Sequence, residues 1–246
     1  MKKKSVMTLD RALSRFGLES RTMAQDRIRS GRVKVNGRTV KDPNLWVRPD
    51  KDVILLDGKR LKRARKIYLL FYKPKGVITS HGDPQERDTV YDYLGAGLPW
   101  VVPVGRLDKD STGLLLLTND TEFANFVLDP ASCIAKTYLV KLNGIMSDET
   151  VAMLAGGVRM ARGDWAQPRS VRRVEARGKY TRLEVVLREG KNREVRRMME
   201  AVGFKVLKLV RTAIGPLTLA GLEIGRFRTL TAAEVAALKR RSQESE

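Results

Sequence analysis

A carboxylate set between two apolar runs is the feature of this sequence best suited to chemistry. Asp108 stands in Val104-Gly105-Arg106-Leu107-Asp108-Lys109-Asp110-Ser111-Thr112-Gly113, followed by Leu114 to Leu117 and Thr118-Asn119-Asp120. Rigid strands on both sides of a polar loop can hold such a group in the near-attack geometry a nucleophile needs. Read by itself, an Asp between strands is a turn residue, and Asp110 would fill that role equally well. Two more segments draw attention. Lys136-Thr137-Tyr138-Leu139-Val140 puts a ring at the start of a strand, where a Tyr is more often core. Leu187-Arg188-Glu189-Gly190-Lys191-Asn192-Arg193-Glu194-Val195-Arg196-Arg197-Met198-Met199 gathers cations on what reads as the start of a helix.

Scarcities prune the chemistry. The chain of 246 residues has one cysteine, Cys133, and one histidine, His81. That excludes an internal disulfide and a thiolate metal cluster, and makes Cys–His dyads and two-histidine zinc sites improbable. His81 lies in the turn-like Ser80-His81-Gly82-Asp83-Pro84 and reads as a loop residue. No G-x-x-x-x-G-K-[ST] loop and no G-x-G-x-x-G after a strand is present, so nucleotide hydrolysis and dinucleotide redox lose their usual signals. An enzyme built from these residues works with carboxylate, Tyr, Lys and Arg, and no metal or small-molecule cofactor is expected. The charge of +20, from 48 basic and 28 acidic residues, favours a polyanionic partner. Apolar runs are far shorter than the roughly 18 residues of a spanning helix. No apolar stretch follows Met1-Lys2-Lys3-Lys4 as a secretory signal requires, so the expected location is cytoplasmic.

The elements that must position these groups fall into two parts. Leu9, Ala12, Leu13 and Phe16 recur at helical spacing up to Gly17, and Ser20 can cap a second helix ending at Ser30-Gly31. Val33 and Val35 alternate before Asn36-Gly37, a strong hairpin signal, with Thr39-Val40 returning and Val53 to Leu56 adding a strand closed at Asp57-Gly58. Residues 1–66 hold 20 basic and seven acidic residues, so +13 of the net charge lies in this first quarter. Arg21, Arg27, Arg29, Arg32, Lys34 and Arg38 cluster on the second helix and hairpin, a pattern suited to a phosphate backbone. Residues 59–66 (KRLKRARK) read as an exposed basic linker. Beyond it, strands are expected at 67–72, 101–104, 114–117, 138–142, 182–187 and 206–210. Helices are expected at 121–128, 148–154, 194–202 and 232–239, the last opened by the capping box Thr231-Ala232-Ala233-Glu234. Residues 240–246 read as a polar tail. Strands following one another with variable insertions favour an α+β sheet over a regular βαβ winding.

The segment from Gly105 to Asp120 closely resembles the GRLD-x-x-[ST]-x-G-LLLLTNDG signature of pseudouridine synthases, in particular the RsuA-type branch acting on ribosomal RNA. Thr121 stands where that signature ends in Gly. Lys136-Thr137-Tyr138 resembles the K-x-Y motif, and residues 187–198 resemble L-x-E-G-[KR]-x-x-Q-[VI]-R-R-M, with Arg193-Glu194 where many relatives have His-Gln. Tyr72-Lys73-Pro74-Lys75-Gly76-Val77 is similar to the branch's entry strand. Residues 7–57 resemble the S-four-type RNA-binding domain through Ser20-Arg21, Ala24, Ile28, Gly31, Val33 and Val35-Asn36-Gly37.

The resemblance implies an α+β architecture: a small RNA-binding domain at 1–58, the linker at 59–66, and a mixed, largely antiparallel catalytic domain at 67–239. It implies that Asp108 is the essential catalytic residue, that Tyr138 stacks on the target base, and that Arg196 forms an ion pair with Asp108. It places Arg106, Lys136, Leu187, Lys191 and Arg193 at the substrate. The implied reaction converts uridine to pseudouridine in ribosomal RNA or a pre-ribosomal particle, the large-subunit RNA being favoured and the small-subunit RNA left open. Whether Asp108 adds to ribose C1′, adds to uracil C6 or takes a C2′ proton is left open, and a monomer is expected. Three rivals come from other classes: a non-catalytic RNA-binding or assembly factor, a DNA-binding regulator using residues 9–28, and a uridine C5 methyltransferase. The last would need a cysteine nucleophile in a context that Cys133 lacks.

Overall fold

Short-range signals account for most of the first part of the chain. The computed structural model describes residues 6–62, 64–95 and 97–240. After a short strand β1 (Met7–Thr8), helix α1 (Leu9–Arg15) buries Leu9, Ala12 and Leu13 completely. Helix α2 (Arg21–Arg29) starts where the Ser20 hydroxyl accepts the Met23 N–H at 3.3 Å, and it stops before Gly31 at φ +75°. Strands β2 (Val33–Val35) and β3 (Arg38–Val40) are joined through Asn36 and Gly37, both at positive φ, as a tight two-residue hairpin turn demands. Strand β4 (Trp46–Val47) pairs with β1, while β5 (Ile54–Leu56) and β6 (Lys59–Arg60) extend the second sheet in the order β3-β2-β5-β6. Leu9, Leu13, Ala24, Ile28, Val33 and Ile54 form the core of this unit.

The linker expected at 59–66 thus opens as a strand, because Asp57-Gly58 closes a second hairpin at φ +50° and +77°. Its far end is fastened as well. Residues 118–122 cluster with the chain up to Ile67. Asn119 donates to the Arg65 carbonyl and accepts the Ile67 N–H, both at 2.9 Å, and buried Asp120 pairs with Lys66 at 2.6 Å. The Thr118-Asn119-Asp120 stretch therefore anchors the segment that leads into the sheet.

In the second unit, β7 (Tyr68–Lys73), β8 (Val102–Pro103), β9 (Thr112–Thr118) and helix α3 (Thr121–Leu128) come first. Next come β10 (Lys136–Asn143), α4 (Asp148–Gly156), β11 (Val158–Arg159), β12 (Trp165–Ala166), β13 (Ser170–Arg177) and β14 (Tyr180–Leu187). Helix α5 (Glu194–Ala201), β15 (Val206–Ile214), β16 (Leu217–Thr218), β17 (Phe227–Thr229) and α6 (Ala232–Arg240) complete it. The main sheet runs β13-β14-β10-β15-β9-β7-β17, with β8 beside β9 and β16 beside β15. Pairing is antiparallel along β13-β14-β10-β15 and at β7–β17, whereas β15 and β9 run parallel through Val210↔Thr112 and Arg211↔Gly113. One core packs α4 and α5 on β10, β14 and β15, and a second packs α3 and α6 on β7 and β9.

Strand β13 has no counterpart in the sequence reading, since as an edge strand it half-buries one face, through Val171, Arg173 and Glu175, and carries no apolar alternation. The capping box forms as its residues suggest. The Thr231 hydroxyl accepts the Glu234 N–H, and Glu234 accepts the Thr231 N–H. The tail beyond Arg240 lies outside the described residues. No helix among the described residues is long and apolar enough to cross a membrane.

Candidate active site

Asp108 sits in the loop between β8 and β9, and every neighbouring residue of that loop is held. The Thr79 hydroxyl donates to the Leu107 carbonyl at 2.9 Å and accepts the Leu107 N–H at 3.3 Å. Gly76 N–H donates to the Lys109 carbonyl, Arg196 to that of Asp110, and the Lys73 amine to that of Ser111 at 3.0 Å. Ser111 N–H closes a turn onto the Asp108 carbonyl. Such clamping keeps a reactive group within the narrow tolerance that positioning requires. The carboxylate itself stays one-third exposed, at 34%.

Where the loop enters β9, that strand can lie against β15 because residue 113 is glycine. Its φ is +121°, and a Cβ there would lie 2.3 Å from the Arg211 carbonyl oxygen on β15. Cations then surround the carboxylate. Arg193 Nη1 is 3.8 Å from Asp108 Oδ2. Lys73 is fully buried, and burial pushes its amine down to about 8, against the pull of Asp108 and Asp110 towards the charged form. Burial also lowers the pKa of Lys136, with the Arg211 charge acting in the same direction.

A cleft of about 660 Å³ opens over this loop. Of the residues expected at the site, Arg106, Asp108, Lys136, Tyr138, Leu187, Lys191 and Arg193 all line it. Tyr138 and Leu187 form buried wall, 8% and 2% exposed. Lys136 donates to the Arg188 carbonyl at 3.1 Å, and Lys191 pairs with Glu189 at 2.8 Å. Arg196 departs from expectation. It is buried outside the cleft lining, and it donates to the Asp110 carbonyl at 3.1 Å and the Val206 carbonyl at 3.4 Å, with no ion pair to Asp108 among the described residues. The reason is local geometry. Arg193 is the left-handed N-cap of α5 at φ +48° and faces the carboxylate, while Arg196 lies in the first turn on the side turned into the protein.

Glu194, at the position that departs from the family pattern, is buried and accepts the Lys191 N–H at 3.0 Å; burial raises its pKa. Its carboxylate thus orders the turn that carries Lys191 and Arg193.

The sequence reading gave no role to Lys73, Thr79, Ser111 or Arg211. A lone cation within the apolar run Leu209-Val210-Arg211-Thr212-Ala213-Ile214 was the signal for Arg211, since an Arg in a central strand is seldom buried without function or partner. His81 lies in a bend, edge-on to Tyr91, and is not part of the cleft lining. Among the described residues, no group of three or more His, Cys, Asp or Glu side chains is placed to hold a metal ion.

The cations of the first unit divide into two sets. Arg21 contacts buried Asp10 at 2.7 Å. Burial would raise the pKa of that carboxyl, but hydrogen bonds from Thr8, Gln25, Arg21 and the Arg11 N–H outweigh it and hold it at about 2. Arg27 pairs with buried Glu19 at 2.5 Å, Arg32 with Asp57 at 2.6 Å, and Arg29 lies 3.7 Å from Asp26. Lys34 and Arg38 are exposed and meet no carboxylate among the described residues.

Comparison with known proteins bears on both units. A family model described as RNA pseudouridylate synthase matches residues 67–201, and the S4 domain model matches residues 7–53. The chain is 38% identical to the ribosomal large subunit pseudouridine synthase B of Bacillus subtilis over 94% of its own length and 95% of that protein. It is also 38% identical to an uncharacterized RNA pseudouridine synthase of Aquifex aeolicus, over 94% and 92% of the two chains. A crystal structure of a pseudouridylate synthase superimposes with a TM-score of 0.65 at 30% identity, covering 94% of this chain and 99% of the other.

Proposed function

Because the chain belongs to the RNA pseudouridylate synthase family, we propose that it isomerises a uridine of large-subunit ribosomal RNA with Asp108 as its nucleophile. The observation that carries this reading is the clamped loop that presents Asp108 to the cleft holding Tyr138. The choice of large-subunit RNA rests on the Bacillus subtilis relative, whose name specifies it.

The target uridine flips out of its RNA context into the cleft, and Tyr138 supplies a stacking face for the base. Asp108 then adds to ribose C1′ or to uracil C6, or takes a proton from C2′. The C1′–N1 bond breaks, the base turns in place and C1′–C5 forms, with the C5 proton lost and N1 protonated. Substrate and product are neutral isomers, so the protein's part is positioning and electrostatics around one anion. Arg193 stands beside that anion, Arg196 and Lys73 fix its loop, and Leu187 walls in the loose uracil. Arg106, Lys136 and Lys191 face the RNA around the target.

The S4 unit supplies affinity through exposed cations such as Lys34 and Arg38. The protein is proposed to act as a monomer. The expected setting is the cytoplasm, with ribosomal RNA or a pre-ribosomal particle as partner.

Loss of the C5 hydrogen gives a direct test. Purified protein is incubated with unmodified large-subunit or small-subunit transcripts carrying tritium at uridine C5. Tritium release from the large-subunit transcript with wild type, and none with Asp108→Ala, is the expected result. Release from the small-subunit transcript alone would overturn the substrate assignment, and release by Asp108→Ala would overturn the nucleophile.

A further inference from the structure

Arg211 occupies a position that the reaction scheme above leaves unused. It stands on β15 at the cleft, 6% exposed, in the middle of the main sheet. Its Nε donates to the Leu114 carbonyl at 2.7 Å, which fixes the plane of the guanidinium. Its Nη2 is buried and meets no hydrogen-bond acceptor among the described residues. A buried donor with no acceptor is a cost that a fold carries without return unless something else supplies the acceptor.

The backbone aims this side chain deliberately. Along β10 and β15 the register jumps from Thr137↔Ala213 to Tyr138↔Arg211, so Thr212 is passed over as a bulge. In an unbroken ladder Tyr138 would face Thr212, and Arg211 would point to the opposite side of the sheet. The bulge turns Arg211 onto the face of Tyr138, and both residues line the cleft with Asp108. Its charge is strong enough here to act on Lys73 and Lys136, both of which it disfavours as cations. Arg211, Lys136 and Arg193 thus line the cleft together with the Asp108 carboxylate, an arrangement suited to receiving more negative charge.

We propose that Arg211 donates a hydrogen bond to a carbonyl oxygen of the target uracil and holds the base through its detachment and rotation. When C1′–N1 breaks, its electron pair leaves on the base and spreads over N1, O2 and O4. Turning uracil by half a revolution about the line through N3 and C6 exchanges N1 with C5 and, at the same time, O2 with O4. A donor fixed at one carbonyl position therefore meets an oxygen in the uridine, in the detached base and in the pseudouridine. The pair on the base then forms C1′–C5, the C5 proton departs and N1 gains one. A cationic donor placed where charge develops, in a site of restricted water, contributes most at that stage. Burial beside Tyr138 argues for the base as acceptor, whereas a backbone phosphate would be met by the exposed Arg106 and Lys191 at the rim.

This inference rests on the reading of Asp108 as nucleophile, and the test separates the two. The substrate is a synthetic RNA hairpin carrying the modified uridine, with oxygen, 2-thio or 4-thio substitution at that base. Arg211→Gln is expected to lower kcat about 100-fold with KM within about threefold of wild type. One of the two thio substitutions should slow the wild-type enzyme and have no further effect on Arg211→Gln, because sulfur accepts hydrogen bonds poorly. Should Arg211→Gln fail to fold, as judged by its thermal transition, the thio series on wild type still decides, and neither sulfur slowing the reaction would overturn the proposal. A raised KM with unchanged kcat would assign Arg211 to a phosphate and overturn it, as would equal thio effects in both proteins. Turnover by Asp108→Ala would instead sink the nucleophile assignment, whatever Arg211 does.

Discussion

Arg196 grips the loop of Asp108, the proposed nucleophile, through its backbone, donating to the carbonyl of Asp110 two residues further on. The guanidinium nearest the Asp108 carboxylate belongs to Arg193, at the left-handed N-cap of the same helix. Two arginines one turn apart thus divide the work that a single ion pair was expected to do. One fixes where the loop lies, and the other stands beside the carboxylate it presents.

That division gives a paired prediction. Arg196→Met should destabilise the protein by about 2 kcal/mol, the range for hydrogen bonds to charged groups, and should lower kcat with it. Arg193→Gln should leave the thermal transition unchanged, since its pair is partly exposed and screened, and should lower kcat several-fold. Thermal unfolding together with single-turnover rates on ribosomal RNA checks both. A destabilised Arg193→Gln beside a normal Arg196→Met would reverse the assignment.

Gly113 should accept no side chain. Its φ of +121° and the 2.3 Å approach of an added Cβ to the Arg211 carbonyl leave no relief short of moving β9 from β15. Gly113→Ala should cost at least about 2 kcal/mol, the scale of backbone strain plus steric conflict. Gly156→Ala, where a Cβ meets nothing within 4 Å, serves as the neutral control. Equal chemical-denaturation midpoints for the two variants would refute the account.

Lys73 sets a pH dependence. Its amine lies at about 8 in the fold against 10.5 ordinarily, so between those values the unfolded chain binds more protons than the folded one. Stability therefore rises with pH over that window, by about 3 kcal/mol at most, relative to Lys73→Met. The neutral amine retains two hydrogens for the Pro74 and Ser111 carbonyls, so the clamp survives. The cation near Asp108 is lost, however, and kcat should fall as pH passes 8. Parallel stability curves for wild type and Lys73→Met between pH 7.5 and about 10 would contradict this.

In the S4 unit, the free cations and the paired ones should behave differently. Lys34→Ala combined with Arg38→Ala should weaken RNA binding and reduce the salt slope by about 1 for each phosphate contact removed. Arg21→Ala should act mainly on the fold, because it strips a partner from buried Asp10. Filter binding at several salt concentrations, with a melting curve for each variant, separates the two effects.

What was legible in the sequence is what local chemistry dictates. Ser20 before α2, Asn36-Gly37 in the hairpin and the Thr231–Glu234 box act within a few residues of themselves, and each takes the form its residues suggest. The clustering of Asp108, Tyr138, Leu187 and Arg193 at one cleft was legible through family resemblance, since no spacing along the chain brings them together. The role of Arg196 was not, because one turn of α5 and a left-handed N-cap decide which arginine reaches the carboxylate. Arg211 was hidden for a similar reason. The bulge at Thr212 that aims it exists only in the pairing of β15 with β10. Strand β13 was invisible because charged residues alternate along its half-buried face, as Arg173 and Glu175 do beside Val171, and leave no apolar period.

The most direct test of the central claim is a map of pseudouridine across ribosomal RNA by carbodiimide modification. Cells lacking this protein are compared with cells complemented by wild type or by Asp108→Ala. The account predicts one large-subunit position that disappears without the protein, returns with wild type and stays absent with Asp108→Ala. The same modification pattern in every strain would contradict it and leave an RNA-binding factor, or another RNA substrate, in its place.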